Sequence, residues 1–164
     1  MNELQNMTTV GALQFLKTRV RFGYLAKRIG MNQTMFSLAI KGENKGAPFT
    51  LPKVRAMQLQ DELTRLAQQL FATNIRHDNV YEWQQPLAYG GTALLQVKKL
   101  NTVIRVKNII TEHTGMNTNA LHHVISATDY CRYGRFSEDE LRSFNSAIHK
   151  LALQISEIKI VDID

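Results

Sequence analysis

The side chains able to do covalent or metal chemistry are few, and their spacing does not assemble them. His113, His122 and His123 lie near the single cysteine, Cys131. Successive helical residues point about 100° apart, so His122 and His123 do not converge on one metal ion. No paired-cysteine or His-Glu-x-x-His ligand spacing is present. Cys131 has no spacing that links it to a catalytic His and Asn. Glu138, Asp139 and Glu140 stand where a helical pattern begins, and carboxylates there complement the helix dipole rather than serve as an acid–base pair. No glycine-rich loop is suited to cradle phosphate. These observations lead us to expect no enzyme, no metal and no cofactor. The remaining chemistry is hydrogen bonding and charge. Asn32, Gln33, Thr34, Ser37, Leu38, Lys41 and Lys45 crowd into one short stretch. Gln can bond an adenine edge twice, Thr and Ser can contact several bases, and Lys neutralises phosphate.

Such a stretch needs elements to hold it. Val10, Leu13, Leu16 and Val20 recur at helical spacing and predict a first helix. Leu25 and Ile29 continue into a short second helix, which Gly30 ends as a residue tolerant of positive φ. Asn32 is suited to cap a third helix over 33–41. The polar stretch 41–50, with two glycines and a proline, predicts a loop. Pro52 then fits the first turn of a longer helix with Val54, Met57, Leu63, Leu66 and Leu70 on its apolar face. Leu25, Ile29, Phe36 and Ile40 are expected to face inward, which leaves Gln33, Thr34, Ser37 and Leu38 outward.

The run from Leu25 to Gly42 resembles the helix-turn-helix of the phage repressor and Cro (XRE-type) family. Leu25-Ala26, then Gly30 with Met31 and the polar Asn32, then Phe36-Ser37, then the terminal Gly42 carry the resemblance, which covers about residues 8–72. The chain departs from the family pattern where Ala39 stands in place of the usual branched residue, and where it has Thr34 or Leu38 and a second Gln or an Arg is frequent. The resemblance implies that helix 33–41 enters the major groove of double-stranded DNA, with its N-terminal residues toward base edges. Lys41, Lys45 and the backbone near Gly42 would then lie by phosphate.

The second half repeats features of the first. Gly30-Met31-Asn32 recurs as Gly115-Met116-Asn117. The same offset of 85 aligns Leu25 with Ile110, Phe36 with Leu121, Leu59 with Phe144, and Leu66-Ala67 with Leu151-Ala152. Upstream of about residue 105 the register drifts by a residue or two. The expected fold is all-α: two tandem bundles, each containing a helix-turn-helix, related by internal duplication. The first domain would span 1–73 and the second, degenerate one 92–164, with a linker at 74–91 marked by Pro86 and Gly90-Gly91. A second DNA site would use Thr118, Asn119, His122, Arg132 and Arg135.

Charge separates the halves. Residues 1–75 hold ten Lys and Arg against four Asp and Glu, whereas 76–164 hold ten of each. The excess positive charge in the first half favours a polyanionic partner there. The neutral second half has two readings. It is either a second reader that makes the chain its own pseudo-dimer, or a copy that has left DNA and serves homodimer or protein-partner contacts. Its charge favours the latter. No apolar run approaches the roughly 18 residues of a membrane span. The start of the chain lacks the pattern of a signal peptide, and one cysteine fits a reducing cytoplasm. The expected function is a sequence-specific DNA-binding protein, a transcriptional regulator. The alternative is a protein–protein interaction module, antitoxin-like in one version, that keeps the fold.

Overall fold

The computed structural model describes residues 3–76, 91–114 and 138–163, and these are mostly helical. Seven α-helices are present among them: α1 (Thr9–Lys17), α2 (Phe22–Arg28), α3 (Thr34–Lys41), α4 (Lys53–Ala72), α5 (Gly91–Leu100), α6 (Val106–His113) and α7 (Glu138–Glu157). None is long and apolar enough to cross a membrane. The chain divides into two compact units, Met1–Leu70 with Leu151–Asp164, and Phe71–Lys150. The sequence places 151–164 in the second domain; the structure places them in the first unit.

In the first unit α1 starts at Thr8, whose hydroxyl accepts from the Gly11 amide at 3.0 Å. Asp162, far along the chain, reinforces that start. Its carboxylate accepts from the Thr9 amide at 2.8 Å and the Thr9 hydroxyl at 2.7 Å. Leu13, Leu16, Val20, Leu25, Phe36, Leu59, Leu63 and Leu66 form the core and are fully buried. On α4 the inward stripe is Ala56, Leu59, Leu63, Leu66 and Leu70, at helical spacing. Val54 and Met57, expected on that face, are instead exposed by 64% and 50%. They fall off the stripe that the longer run of leucines sets.

The expected loop at 41–50 is in fact an antiparallel hairpin, β1 (Glu43–Asn44) and β2 (Ala47–Pro48), with Glu43 opposite Pro48 and Asn44 opposite Ala47. Lys45 (φ 52°) and Gly46 (φ 81°) form its two-residue turn. Positive φ at both turn positions gives the twist that two-residue hairpins require. Two-residue strands are too short to leave an alternating pattern in the sequence.

In the second unit Ala93, Val97, Ile104, Val106, Ile109, Ile110, Leu141, Phe144, Ala147 and Ile148 are buried. Glu138, Asp139 and Glu140 occupy the exposed first turn of α7, and Asp139 pairs with Arg142 at 2.8 Å. The residues after α4 are not slack. Ile75 is buried, its amide donates to Asn145 Oδ1 at 2.9 Å, and its carbonyl accepts from Asn145 Nδ2 at 2.8 Å. His149 Nε2 lies 2.8 Å from the Thr73 carbonyl, which puts the ring proton on Nε2. The remainder of the expected linker, and the stretch 115–137, lie outside the described residues.

A matching clasp closes the first unit. Gln60 on α4 donates through Nε2 to the Ile158 carbonyl at 3.1 Å and accepts from the Ile160 amide at 2.9 Å. Met7 pairs with Ile160 as a parallel bridge beside it. Backbone groups in such partly buried positions cost free energy when left unpaired. Gln60→Ala is therefore expected to destabilise the protein by about 1–3 kcal/mol in urea denaturation and to speed hydrogen exchange at the Ile160 amide.

Candidate nucleic-acid interface

The turn between α2 and α3 is built by glycine. Gly30 takes φ 71°, its amide donates to the Lys27 carbonyl at 3.3 Å, and the Met31 amide donates to the Ala26 carbonyl at 2.9 Å. This pair of reversed bonds satisfies the last carbonyls of α2 and turns the chain sharply. Arg55 on α4 closes the Ile29 carbonyl as well. Asn32 then starts α3: its side-chain oxygen accepts from the Thr34 amide at 3.0 Å, so its carbonyl is committed to the cap.

Packing fixes the face that α3 presents. Phe36 is fully buried and Ala39 is 2% exposed, whereas Ile40, expected inward, is half-buried at the margin. The Phe22 ring at the start of α2 meets Phe36 at 5.1 Å between centroids and 59° between planes. Ala26, buried in α2, supplies the small side chain that a close helix crossing needs. Tyr24 donates to Gln69 at 3.3 Å, tying α2 to α4. Arg28 meets the buried Glu62 carboxylate at 2.9 Å, with Arg65 at 3.8 Å from its other oxygen. That hydrogen bond raises the pKa of the Arg28 guanidinium.

Gln33, Thr34, Ser37 and Lys41 are exposed, and Leu38 is half-buried beside them. Gln33, Ser37 and Lys41 follow one another at four-residue spacing and so share one face of the helix. Lys45 is also exposed, but it stands on the hairpin turn rather than on α3. The structure thus brings four of the sequence-derived residues onto one surface, with Leu38 at its edge, Asn32 in the cap and Lys45 in a neighbouring element. Thr118, Asn119, His122, Arg132 and Arg135 lie outside the described residues.

Gly23 was not singled out by the sequence. A Cβ there would meet Gln33 Oε1 at 3.0 Å, so the absent side chain is what lets Gln33 lie against the first turn of α2. The signal was available only as a glycine inside a helix, where it is otherwise unfavourable. Among the described residues no three His, Cys, Asp or Glu side chains gather to hold a metal. A cleft of about 430 Å³ beside the α2–α4 contact is lined by Lys27, Arg28, Asp61, Glu62 and Arg65 among others, and its charges are mixed. Comparison with protein families, curated proteins and solved structures finds no match to this chain.

Two outcomes follow from this geometry. Gly42 ends α3 with φ 77°, and its amide donates to the Leu38 carbonyl at 2.9 Å. Gly42→Ala keeps the bond but forces a left-handed alanine, at an expected cost of about 1–2 kcal/mol in chemical denaturation. Burial raises the Tyr24 pKa above its ordinary 10.0, and the Glu62 carboxylate adds to the shift. The neutral phenol therefore stabilises the fold fully below pH 10, and this contribution is lost as the pH rises through the shifted value. Stability measured from about pH 9 to 11 is expected to fall less steeply in Tyr24→Phe than in the parent protein.

Proposed function

We propose that this protein binds duplex DNA through α3 and acts as a transcriptional regulator. One observation carries the reading: Gln33, Ser37 and Lys41 form an exposed stripe on a helix gripped from behind by Phe36 and Ala39. Base-reading side chains near the helix start, followed by a lysine at its end, suit a helix lying in the major groove with phosphate beyond it. An α-helix with its side chains is about 10–12 Å across, which fits a major groove about 12 Å wide. The resemblance of 25–42 to the repressor and Cro helix-turn-helix supports the same reading, as does the charge of the first half.

We propose in addition that the two halves are copies. The helices α4 and α7 have the same length, and their ends lie 85 positions apart. Their buried residues match at that offset without exception: Ala56, Leu59, Glu62, Leu63, Leu66, Ala67 and Leu70 correspond to Leu141, Phe144, Ala147, Ile148, Leu151, Ala152 and Ile155. Around the second helix the burial pattern fits an offset of 84 better than 85: Val20, Leu25 and Ala26 then correspond to the buried Ile104, Ile109 and Ile110, so that Leu25 pairs with Ile109 rather than Ile110. The clasps correspond as well. Gln60 holds Ile160 and Asn145 holds Ile75, so each copy's polar residue binds the segment that trails the other copy's long helix. A duplicated pair that exchanged tails accounts for this reciprocity. The second copy then serves as a partner-binding or dimerisation domain, consistent with its neutral charge.

A protein-interaction role without DNA is the second reading, favoured by the exposed Val54 and Met57, one turn apart on α4. Selection from a random duplex library separates the two. The intact chain and the Gln33→Ala and Lys41→Ala variants would be tested at about 50 and 200 mM salt. One enriched motif, altered by Gln33→Ala and weakened across all sequences by Lys41→Ala, supports the DNA reading. Absence of salt-sensitive binding in the intact chain at the lower salt overturns it.

A further inference from the structure

We infer that the β1–β2 hairpin is a second DNA-contacting element, with Lys45 entering the minor groove next to the major-groove site of α3. The inference rests on the DNA reading of α3. It starts from a fold feature that the core does not explain. Every residue from Lys41 to Pro48 is exposed, and neither strand contributes a buried residue to the core. A two-stranded hairpin in water is marginally stable by itself, so its presence beside α3 points to a role outside the core.

The tip carries a second anomaly. Lys45 has φ 52° and is the one non-glycine residue with positive φ among the described residues. Asn or Gly is the low-cost residue at that position of a two-residue turn. Backbone strain at an exposed tip gains no packing in return, and residues held this way concentrate at functional sites. What lysine adds over asparagine is a cation on a long stem.

Position supplies the target. The hairpin begins directly after Gly42, and the Phe49 amide closes its base on the Gly42 carbonyl at 2.9 Å. Strand residues rise about 3.3 Å each, so the tip stands roughly 10 Å from the end of α3. With α3 in a groove about 12 Å wide, that reach crosses the bordering phosphate strand toward a minor groove about 6 Å wide. Glu43, the hairpin's one carboxylate, sits in the pair next to the base, so attraction to phosphate is concentrated at the tip. Narrow A·T-rich minor grooves have enhanced negative potential and attract inserted lysine. The expected preference is for A·T pairs flanking the α3 site.

The test uses the full chain on its selected duplex, with hydroxyl-radical footprinting for the minor groove and guanine-N7 methylation interference for the major groove. Lys45→Asn removes the charge and relaxes the turn; Lys45→Arg keeps the charge. The parent and Lys45→Arg proteins should protect minor-groove sugars beside the α3 site. Lys45→Asn should lose that protection, bind at least about threefold more weakly, and lower the slope of log affinity against log salt by about 0.9. Its thermal stability should equal or exceed the parent's, and its N7 interference should remain. A role confined to folding would instead leave affinity and salt slope unchanged in Lys45→Asn, and that result overturns the inference while N7 interference keeps the α3 reading. Loss of both signals in the parent protein overturns both.

Discussion

Extended backbone that leaves a helix and runs back into a protein must find partners for its amides and carbonyls, and this requirement organises both units. Side-chain amides meet it here. Gln60 and Asn145 each present a donor and an acceptor, which suits the alternating groups of an extended segment. A charged side chain would satisfy only one kind of group and carry a larger desolvation cost. With Ile75 and Ile160 held in this way, their side chains add to the core. Asp162 extends the same arrangement to the first turn of α1.

Helix α3 depends on that scaffold at one remove. Its orientation comes from the Phe22–Phe36 contact and the glycine turn at Gly30, and α4 secures the turn through Arg55. Polar ties between α2 and α4, at Arg28–Glu62 and Tyr24–Gln69, are directional where apolar packing is not. They fix the rotation of α2 and the α2–α3 turn about their contact with the core. The exposed face of α3, with Gln33, Ser37 and Lys41, is thereby held in one orientation.

Local chemistry was legible in the sequence. Gly30 and Asn32 announced the turn and the cap, and helical spacing identified Leu25, Ile29 and Phe36 as core. The outward placement of Gln33, Thr34 and Ser37 followed from the same phase, whereas Leu38, expected beside them, and Ile40, expected inward, are both half-buried. What the sequence did not disclose depends on distance or on small size. The hairpin strands are too short to alternate, and Val54 and Met57 look like core until the leucine stripe of α4 is oriented. Gln60 and Asn145 bind backbone 98, 100 and 70 positions away, and no periodicity marks a polar residue for such a partner. The contact of Gln33 with Gly23 is likewise visible only once two helices are in place.

The bond between Thr9 and Asp162 joins residues 153 positions apart, and Gln60 waits for Ile158 and Ile160. A ribosome makes α1 to α4 long before it makes those partners. The nascent first unit therefore spends the translation of about ninety further residues with α1 lacking the Asp162 bonds and α4 lacking its trailing clasp. Closing so long a loop is slow, because its entropy must be met before the contact rewards it. The unit that carries α3 is thus the first to be synthesised and among the last to be completed.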